Sequence, residues 1–394
     1  MGRFNGENIL DEDFKMKNAN IALIYIDRPY LSPTESQLFY SLSALPEVRI
    51  VNVTELLRSD NEELLDEYKN IVDDASCIFI SNYVPNCIVR ELNDSFFSTV
   101  RGKCKTIEPT RKLLKYIYAL NKPKIASCLL YDIHDPDFSS YLSQYGKDGI
   151  VIGCRFKVPE QDDTFDVDNH AVHDNARVAG NCDAIIEAPH CIAAHEFCSM
   201  QTDRPWKIAI PGITYKRRAI AHATLDTALR LFGPPFMPVY GVLKATGLIL
   251  KATGWAQPQF MAYYFANYYH RKILSMTKIL YTDGSMVDYA VRKFFEIPAA
   301  GCLLLCTPFN GMSDLGFKDG VTHIECAPED VGKLVRTIDV NTSKIRDIIK
   351  NGQDLVRQKH SSDARARQLA EAMRRVASGT LKSAHWYEGE YIFS

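Results

Sequence analysis

The stretch KILYTDGSMVDYAVRKFFEIPAAGCLLLCTP, residues 278–308, decides the fold class of this chain. It opens with an apolar run at 278–284 that predicts a strand and continues through an amphipathic segment at 286–300 that predicts a helix. A second apolar run follows at 302–308. Such runs are typical of strands buried on both faces, and their order predicts a parallel sheet covered by helices.

The same alternation extends in both directions along the chain and predicts two α/β domains. Each would be a Rossmann-like, doubly wound sheet, and the two would face each other across a cleft where ligands bind at the strands' carboxyl ends. We place the boundaries at 1–203, 204–380 and a C-terminal tail, 381–394, that packs back on the first domain. In the first half the predicted strands are 21–26, 48–53, 77–81, 124–133, 149–153 and 183–189.

Amino-acid composition limits the possible binding partners and the cellular compartment of the protein. The chain has 394 residues with 46% hydrophobic and 24% charged, and its 46 basic and 48 acidic residues give a net charge of -2. This balance gives no reason to expect a nucleic-acid partner. The 11 cysteines show no disulfide-scaffold spacing, the start lacks a secretory signal, and no run of about 20 apolar residues is free of charge. We expect a cytoplasmic protein.

Charged residues in the central stretch predict a binding site for a nucleotide. Asp288, Arg292 and Glu296 are spaced i, i+4, i+8, so a helix would align them on one face. A carboxylate there can accept two hydrogen bonds from a ribose diol, and a guanidinium can pair with a diphosphate. A solvated, salt-bridged helix face remains the alternative.

Three segments together resemble a known enzyme family. They are YAVRKFFEIPAAGCLLL (289–305), DLGFKDGVTHIEC (314–326) and PEDVGKLVRTI (328–338). They resemble the group 1 glycosyltransferases, especially the subgroup similar to the spore maturation protein CgeB. The resemblance implies a GT-B fold, a nucleotide-sugar donor and a ribose contact by Glu296. Asp288 stands where the family more usually has a glutamate.

The passage between the two halves extends this resemblance, which covers roughly 185–360. APHCIAAHEF (188–197) and KIAIPGITYKRR (207–218) are similar to the family's interdomain passage. The likeness implies that Arg218 lies near the donor diphosphate, with Lys216 or Arg217 as substitutes. From the residues themselves, Gly212, Tyr215 and Lys216 at a helix start would add exposed amides and positive charge. Such a site needs no metal ion or other cofactor.

The first half offers a candidate base in YDIHDPDF (131–138), which follows its most apolar strand. His134 or Asp135 could take the acceptor's proton in an inverting transfer. In a retaining enzyme they would position the acceptor or the sugar. A turn that caps the next helix is the alternative.

Other chemistries have weaker signals. Asp166 and Asp168 form a D-x-D metal motif, but inside an acidic loop. A zinc site could be assembled from His and Cys side chains of the segment 190–198, although no C-x-x-C pair occurs. No G-x-G-x-x-G follows the first strand, and P-loop and G-x-S-x-G motifs are absent, which disfavours dehydrogenases, P-loop nucleotidases and serine hydrolases. The zinc candidates are His190, Cys191, His195 and Cys198.

Together these features predict a glycosyltransferase that acts on a glycan, lipid-linked or protein acceptor in cell-surface polysaccharide synthesis. A nucleotide-sugar 2-epimerase and a catalytically silent nucleotide-sugar-binding partner are the alternatives. The aromatic segment 234–269 is either a buried connection or a peripheral contact with the inner face of the membrane.

Overall fold

The structure is a computed structural model that describes the following residues. They are 20–27, 33–81, 84–89, 91–92, 100, 103–128, 150–154, 184–200, 203–212, 216–226, 257–284 and 290–394.

The first sheet is parallel except for its last strand. Its order is β12-β11-β6-β5-β4-β3-β1-β2, and only the β11–β12 pair is antiparallel. The strands are β1 (Ile21–Tyr25), β2 (Val48–Asn52), β3 (Cys77–Ile80), β4 (Lys124–Cys128), β5 (Ile150–Cys154), β6 (Ala184–Glu187), β11 (Ser383–Tyr387) and β12 (Glu390–Phe393).

Side chains of β1 alternate between two cores, which explains the continuous apolar run. Ala22 and Ile24 pack into one core, and Ile21 and Leu23 pack into the other. Both faces of the sheet are therefore covered, as a doubly wound arrangement requires. The covering helices are α1 (Pro33–Ser43), α2 (Val53–Arg58), α3 (Glu62–Asp74), α4 (Asn86–Val89) and α5 (Glu108–Ala119).

The segment 54–75 has an amphipathic pattern that predicts one helix, but it forms two. Asn61 interrupts it because its side chain accepts a hydrogen bond from the Leu64 amide and begins α3 anew. Asparagine competes for backbone donors in this way and favours N-cap positions over helix interiors.

The second sheet is parallel, with the order β10-β9-β8-β7. Ile279 and Leu280 of β8 point into different cores, so this sheet is also covered on both faces. The predicted α/β class with two parallel Rossmann-like sheets, the feature that a GT-B fold requires, is confirmed. The strands are β7 (Trp206–Ala209), β8 (Thr277–Thr282), β9 (Leu303–Cys306) and β10 (Ile324–Glu325).

Helices of the second half surround this sheet, and the last one returns to the first. Leu369 of the final helix packs in the same core as Ile21 and Leu23 of β1. The tail then forms β11 and β12 at the edge of the first sheet. The helices are α6 (Lys216–Ala223), α7 (Gln257–Met276), α8 (Lys293–Ala299), α9 (Val331–Thr337), α10 (Ser343–Lys359) and α11 (Ser362–Ala377).

Candidate active site

The candidate site lies where β7 and β8 end. These strands are parallel neighbours, so the residues that follow them meet at one edge of the sheet. Gly212 follows β7 closely, and Asp283 comes directly after β8. Helix α8, which connects β8 to β9, begins at Lys293 and therefore starts at this edge.

A buried ion pair occupies this edge. Arg218 of α6 donates from Nη2 to Oδ1 of Asp283 at 2.8 Å, and the two side chains are only 2% and 1% exposed. Helix α6 is fixed from its other end, where Thr224 Oγ1 accepts a hydrogen bond from the Gly332 amide at 2.9 Å. A Cβ on Gly332 would lie 2.1 Å from the Thr224 carbonyl oxygen, so only glycine allows this close approach.

Gly212 allows two cationic side chains to approach its backbone closely. Its φ of 101° lies in the left-handed region that favours glycine. A Cβ at this position would lie 2.9 Å from both Arg218 Nη1 and Lys293 Nζ. The absence of a side chain therefore lets the Arg218 and Lys293 side chains lie against the exposed backbone of Gly212, which brings two positively charged nitrogens together.

Lys293 is the cation of this edge with the fewest partners. No described residue forms a hydrogen bond or a salt bridge within 4.0 Å with its ammonium group. Burial, and then the charge of Arg218, lower the pKa of Lys293 below its ordinary value. A bound anion would supply the hydrogen-bond acceptor that this ammonium lacks among the described residues, which makes Lys293 a candidate ligand for a diphosphate.

Glu296 lies one turn further along α8 and is ionised. Its side chain is 6% exposed. His270 Nε2 lies 2.7 Å from Oε1, and Arg292 donates to Oε2 at 2.5 Å. Burial alone would raise the pKa of Glu296, but the charges of His270 and Arg292 outweigh it and hold the pKa well below its ordinary value. Each oxygen keeps a second lone pair for a ligand hydroxyl.

Arg292 is neutralised by two carboxylates. Besides Glu296, its guanidinium donates from Nη2 to Oε1 of Glu196 at 2.6 Å. These two charges keep the pKa of Arg292 above its ordinary value despite its burial. Its donors are therefore directed at protein carboxylates, and the diphosphate role falls better to Lys293 and Arg218.

Several residues predicted from the sequence meet here. Lys293 connects them electrostatically, because Arg218, Glu296 and Arg292 all act on its pKa. Gly212 adjoins the same ammonium. Lys216 lies exposed at the first position of α6. The predictions for Tyr215, Asp288, His134 and Asp135 fall outside the described residues.

The helix predicted over 286–300 begins later than expected. Ala290 and Val291 are not helical, and α8 starts at Lys293 with Arg292 as its N-cap. A single continuous helix over 286–300 is therefore wrong, while residues 285–289 fall outside the described residues. Arg292 and Glu296 still pair at the i, i+4 spacing.

Sequence reasoning missed four residues of this site. His270 and Glu196 had no detectable signal because they reach the site across the fold. Asp283 could have been found, since it directly follows a predicted strand. Lys293 could have been found as the residue that faces the same edge at the start of α8. The missed residues are Glu196, His270, Asp283 and Lys293.

A metal site has no support in the part of the chain that the structure describes. No group of three or more His, Cys, Asp or Glu side chains there could hold a metal ion. Cys191 is buried, and burial raises its pKa to about 11, which disfavours the thiolate that zinc needs. Asp166 and Asp168 lie outside the described residues.

Among the described helices, none combines the length and the apolar character that crossing a bilayer requires.

Comparison with known proteins adds an independent finding. Residues 216–371 match the protein-family model described as "Glycosyl transferase-like". The predicted likeness to glycosyltransferases is thereby confirmed over this segment, which contains Arg218, Lys293 and Glu296. No curated protein matches the chain.

Three solved structures are similar over most of the chain. Anabaena Alr3699/HepE in complex with UDP and glucose has 10% identity and a TM-score of 0.48, covering 90% of this chain and 99% of that one. Sucrose-phosphate synthase from Thermosynechococcus elongatus has 12% identity and a TM-score of 0.42, covering 92% and 100%. A glycosyltransferase from Rickettsia africae has 10% identity and a TM-score of 0.45, covering 91% and 99%. With likeness this distant, the fold assignment rests on the sheets of this chain.

Proposed function

We propose that this protein is a glycosyltransferase whose nucleotide-sugar donor binds at the carboxyl edge of the second sheet. One observation carries the proposal. Arg218 Nη1 and Lys293 Nζ lie together beside the exposed backbone of Gly212, and Glu296, within electrostatic reach of Lys293, is ionised. A diphosphate fits the two cations, and a ribose diol fits the carboxylate. The matched family segment spans all three charged residues.

The chemistry requires charge stabilisation on the leaving group. The bond between the anomeric carbon and the diphosphate oxygen breaks, and its electron pair goes to that oxygen. A bond to the acceptor hydroxyl oxygen forms, and the hydroxyl proton passes to a base. Lys293 and Arg218 would stabilise the negative charge on the departing diphosphate, as fixed cations do in a partly buried site. His134 or Asp135 remains the predicted base.

Incubation with nucleotide sugars tests this function against its rivals. The protein is incubated with UDP-, GDP-, CMP- and dTDP-sugars without acceptor, and the products are identified by mass spectrometry and NMR. A transferase gives slow hydrolysis and then transfer when a glycan or lipid-linked acceptor is added. An altered sugar would indicate a 2-epimerase, and binding without turnover would indicate a silent partner. Either result would overturn the proposal.

We also propose that the transfer is independent of metal ions. The Arg218 guanidinium and the Lys293 ammonium, which lie together beside Gly212, would supply the charge that a divalent cation supplies elsewhere. Activity should therefore survive treatment with EDTA. Complete loss, restored by added Mg²⁺ or Zn²⁺, would instead favour the Asp166/Asp168 or histidine–cysteine alternatives.

A cytoplasmic enzyme of polysaccharide synthesis with a peripheral membrane contact is the wider proposal. At the described end of segment 234–269, Tyr268 is 54% exposed and Lys272 Nζ lies 5.7 Å from its ring centroid. Arg271 is also exposed. Aromatic and basic side chains of this kind suit the surface of an anionic bilayer. Cosedimentation with phosphatidylglycerol vesicles but not phosphatidylcholine vesicles would support the contact, and equal recovery with both would contradict it.

A further inference from the structure

Glu196 belongs to the passage between the two sheets, yet it contacts the donor-site helix. It ends the short 3-10 turn Ala194–Glu196, which lies between β6 and β7. Its Oε1 accepts from Arg292 at 2.6 Å, and its Oε2 accepts from the Ala193 amide at 2.9 Å. Both oxygens of a side chain that is 16% exposed are therefore engaged.

The passage that carries Glu196 is fixed to the second half on both sides of the turn. Before it, the Ile192 amide donates to the His360 carbonyl at 3.0 Å, and the Ser362 amide donates to the Ile192 carbonyl at 2.9 Å. After it, the Cys198 amide donates to the Ala299 carbonyl at the end of α8 at 3.1 Å. Glu196 is thus held in a defined position relative to α8.

Arg292 transmits this position to Glu296. One guanidinium nitrogen donates to Glu196 and the other donates to Glu296, so the plane of the guanidinium group is fixed by two carboxylates. Without Glu196, one end of the guanidinium would lose its charged partner. Arg292 could then rotate away from Glu296 or pair with a ligand phosphate, and Glu296 would lose the support that fixes its orientation.

We propose that Glu196 is a positioning residue for the donor site. It acts through Arg292 to orient the Glu296 carboxylate toward the ribose hydroxyls. The proposal rests on the function proposed above, since it presumes that Glu296 accepts hydrogen bonds from a nucleotide ribose.

Calorimetry tests the proposal by measuring nucleotide affinity. The ligands are UDP, GDP, CDP and ADP, followed by the 2′-deoxy form of the nucleotide that binds most tightly. Glu196→Gln and Glu196→Ala should each lower the affinity for the ribonucleotide, the alanine variant by about tenfold, the loss expected for one misplaced charge-assisted hydrogen bond. The preference for ribo over 2′-deoxy nucleotide should shrink as well. Glu390→Gln is the matched control, because Glu390 forms an ion pair with Lys359 on the surface at 2.7 Å.

A double-mutant cycle separates positioning from general stability. In a Glu296→Gln background, Glu196→Gln should change affinity very little, because the carboxylate that it orients is gone. A lower melting temperature with an unchanged ribo/deoxy preference would show a merely structural role and overturn the proposal. If the wild type binds nucleotide and the Glu296 variants weaken this binding but the Glu196 variants do not, this inference alone is overturned. Failure of the wild type to bind every nucleotide tested would overturn the proposed function together with it.

Discussion

Two of the regions that hold largely buried arginines surround them differently. At the carboxyl edge of the second sheet, Arg218 and Arg292 pair with carboxylates. At the junction of α10 and α11, Arg365 is fully buried but donates to Gln368 Oε1 at 2.6 Å and to His360 Nδ1 at 3.1 Å. No carboxylate of the described residues lies within salt-bridge distance of Arg365.

The junction around Arg365 is built for packing. The ring centroid of Trp386 in β11 lies 5.1 Å from the Arg365 guanidinium carbon. Burial lowers the pKa of His360 to about 3, so its imidazole stays neutral. Its Nε2 then donates to the Leu315 carbonyl while Nδ1 accepts from Arg365. Neutral partners and aromatic rings fix the tail against both halves. The strand-end site instead gathers ionised side chains of both signs beside the exposed backbone of Gly212, an environment that suits a charged ligand.

The largest expected effect concerns stability at the junction. Arg365→Ala would remove a fully buried side chain and leave His360 Nδ1 without its donor, lowering the free energy of unfolding by about 3 kcal/mol. Urea titration measures this change, and nucleotide affinity of the folded protein should stay near wild type. Arg367→Ala, an exposed neighbour on α11, is the control. A comparable loss of nucleotide binding in Arg365→Ala would erase the distinction between the two regions.

Glu296→Ala should instead weaken nucleotide binding more than it lowers the free energy of unfolding. It would remove the acceptor for the ribose hydroxyls, and losing charged hydrogen bonds of about 2–3 kcal/mol corresponds to a roughly 30- to 150-fold weaker nucleotide affinity. Calorimetry with UDP and GDP measures it, with Glu390→Ala as the control for a surface carboxylate. Unchanged affinity would contradict the placement of the donor ribose at Glu296.

Lys293 gives the strand-end site a pH dependence. Because burial and Arg218 lower its pKa, the ammonium loses its proton at a lower pH than an ordinary lysine. The protonated form binds the anion, so nucleotide affinity should be full at lower pH and fall as pH rises through this lowered pKa. Lys293→Met should weaken binding about tenfold at neutral pH, the value of one charge-assisted hydrogen bond.

The control for the pH prediction is Lys293→Arg, because arginine keeps its charge over the same range. Its affinity profile should stay level where the wild-type profile declines. Parallel profiles for the two proteins would assign the pH dependence to another group.

The smallest effect is expected at His270. Its ring donates to one oxygen of Glu296 while Arg292 holds the other, so His270→Ala should weaken nucleotide binding only about threefold. His270→Gln, which keeps a donor nitrogen, should recover part of the loss. A reduction as large as that of Glu296→Ala would show that His270 contacts the ligand itself.

The local hydrophobic pattern was sufficient to predict the strands that are buried on both faces. The apolar runs of β1, β3, β8 and β9 predict strands because any strand covered on both sides must be apolar throughout. The break at Asn61 was missed because its capping hydrogen bond competes with an otherwise amphipathic helical pattern. Likewise, the start of α8 at Lys293 lies inside an amphipathic pattern that begins earlier in the sequence.

By itself, the sequence determined the α/β class, the two-sheet organisation and the family likeness that selects Arg218 and Glu296. Those features follow from periodicity and from short motifs, which neighbouring residues carry. Only the tertiary structure decided the partners: Glu196 lies 96 residues from Arg292, and His270 lies 26 residues from Glu296. Ion pairs between distant segments depend on where the strands of the sheets end in space. A local sequence pattern does not determine those positions.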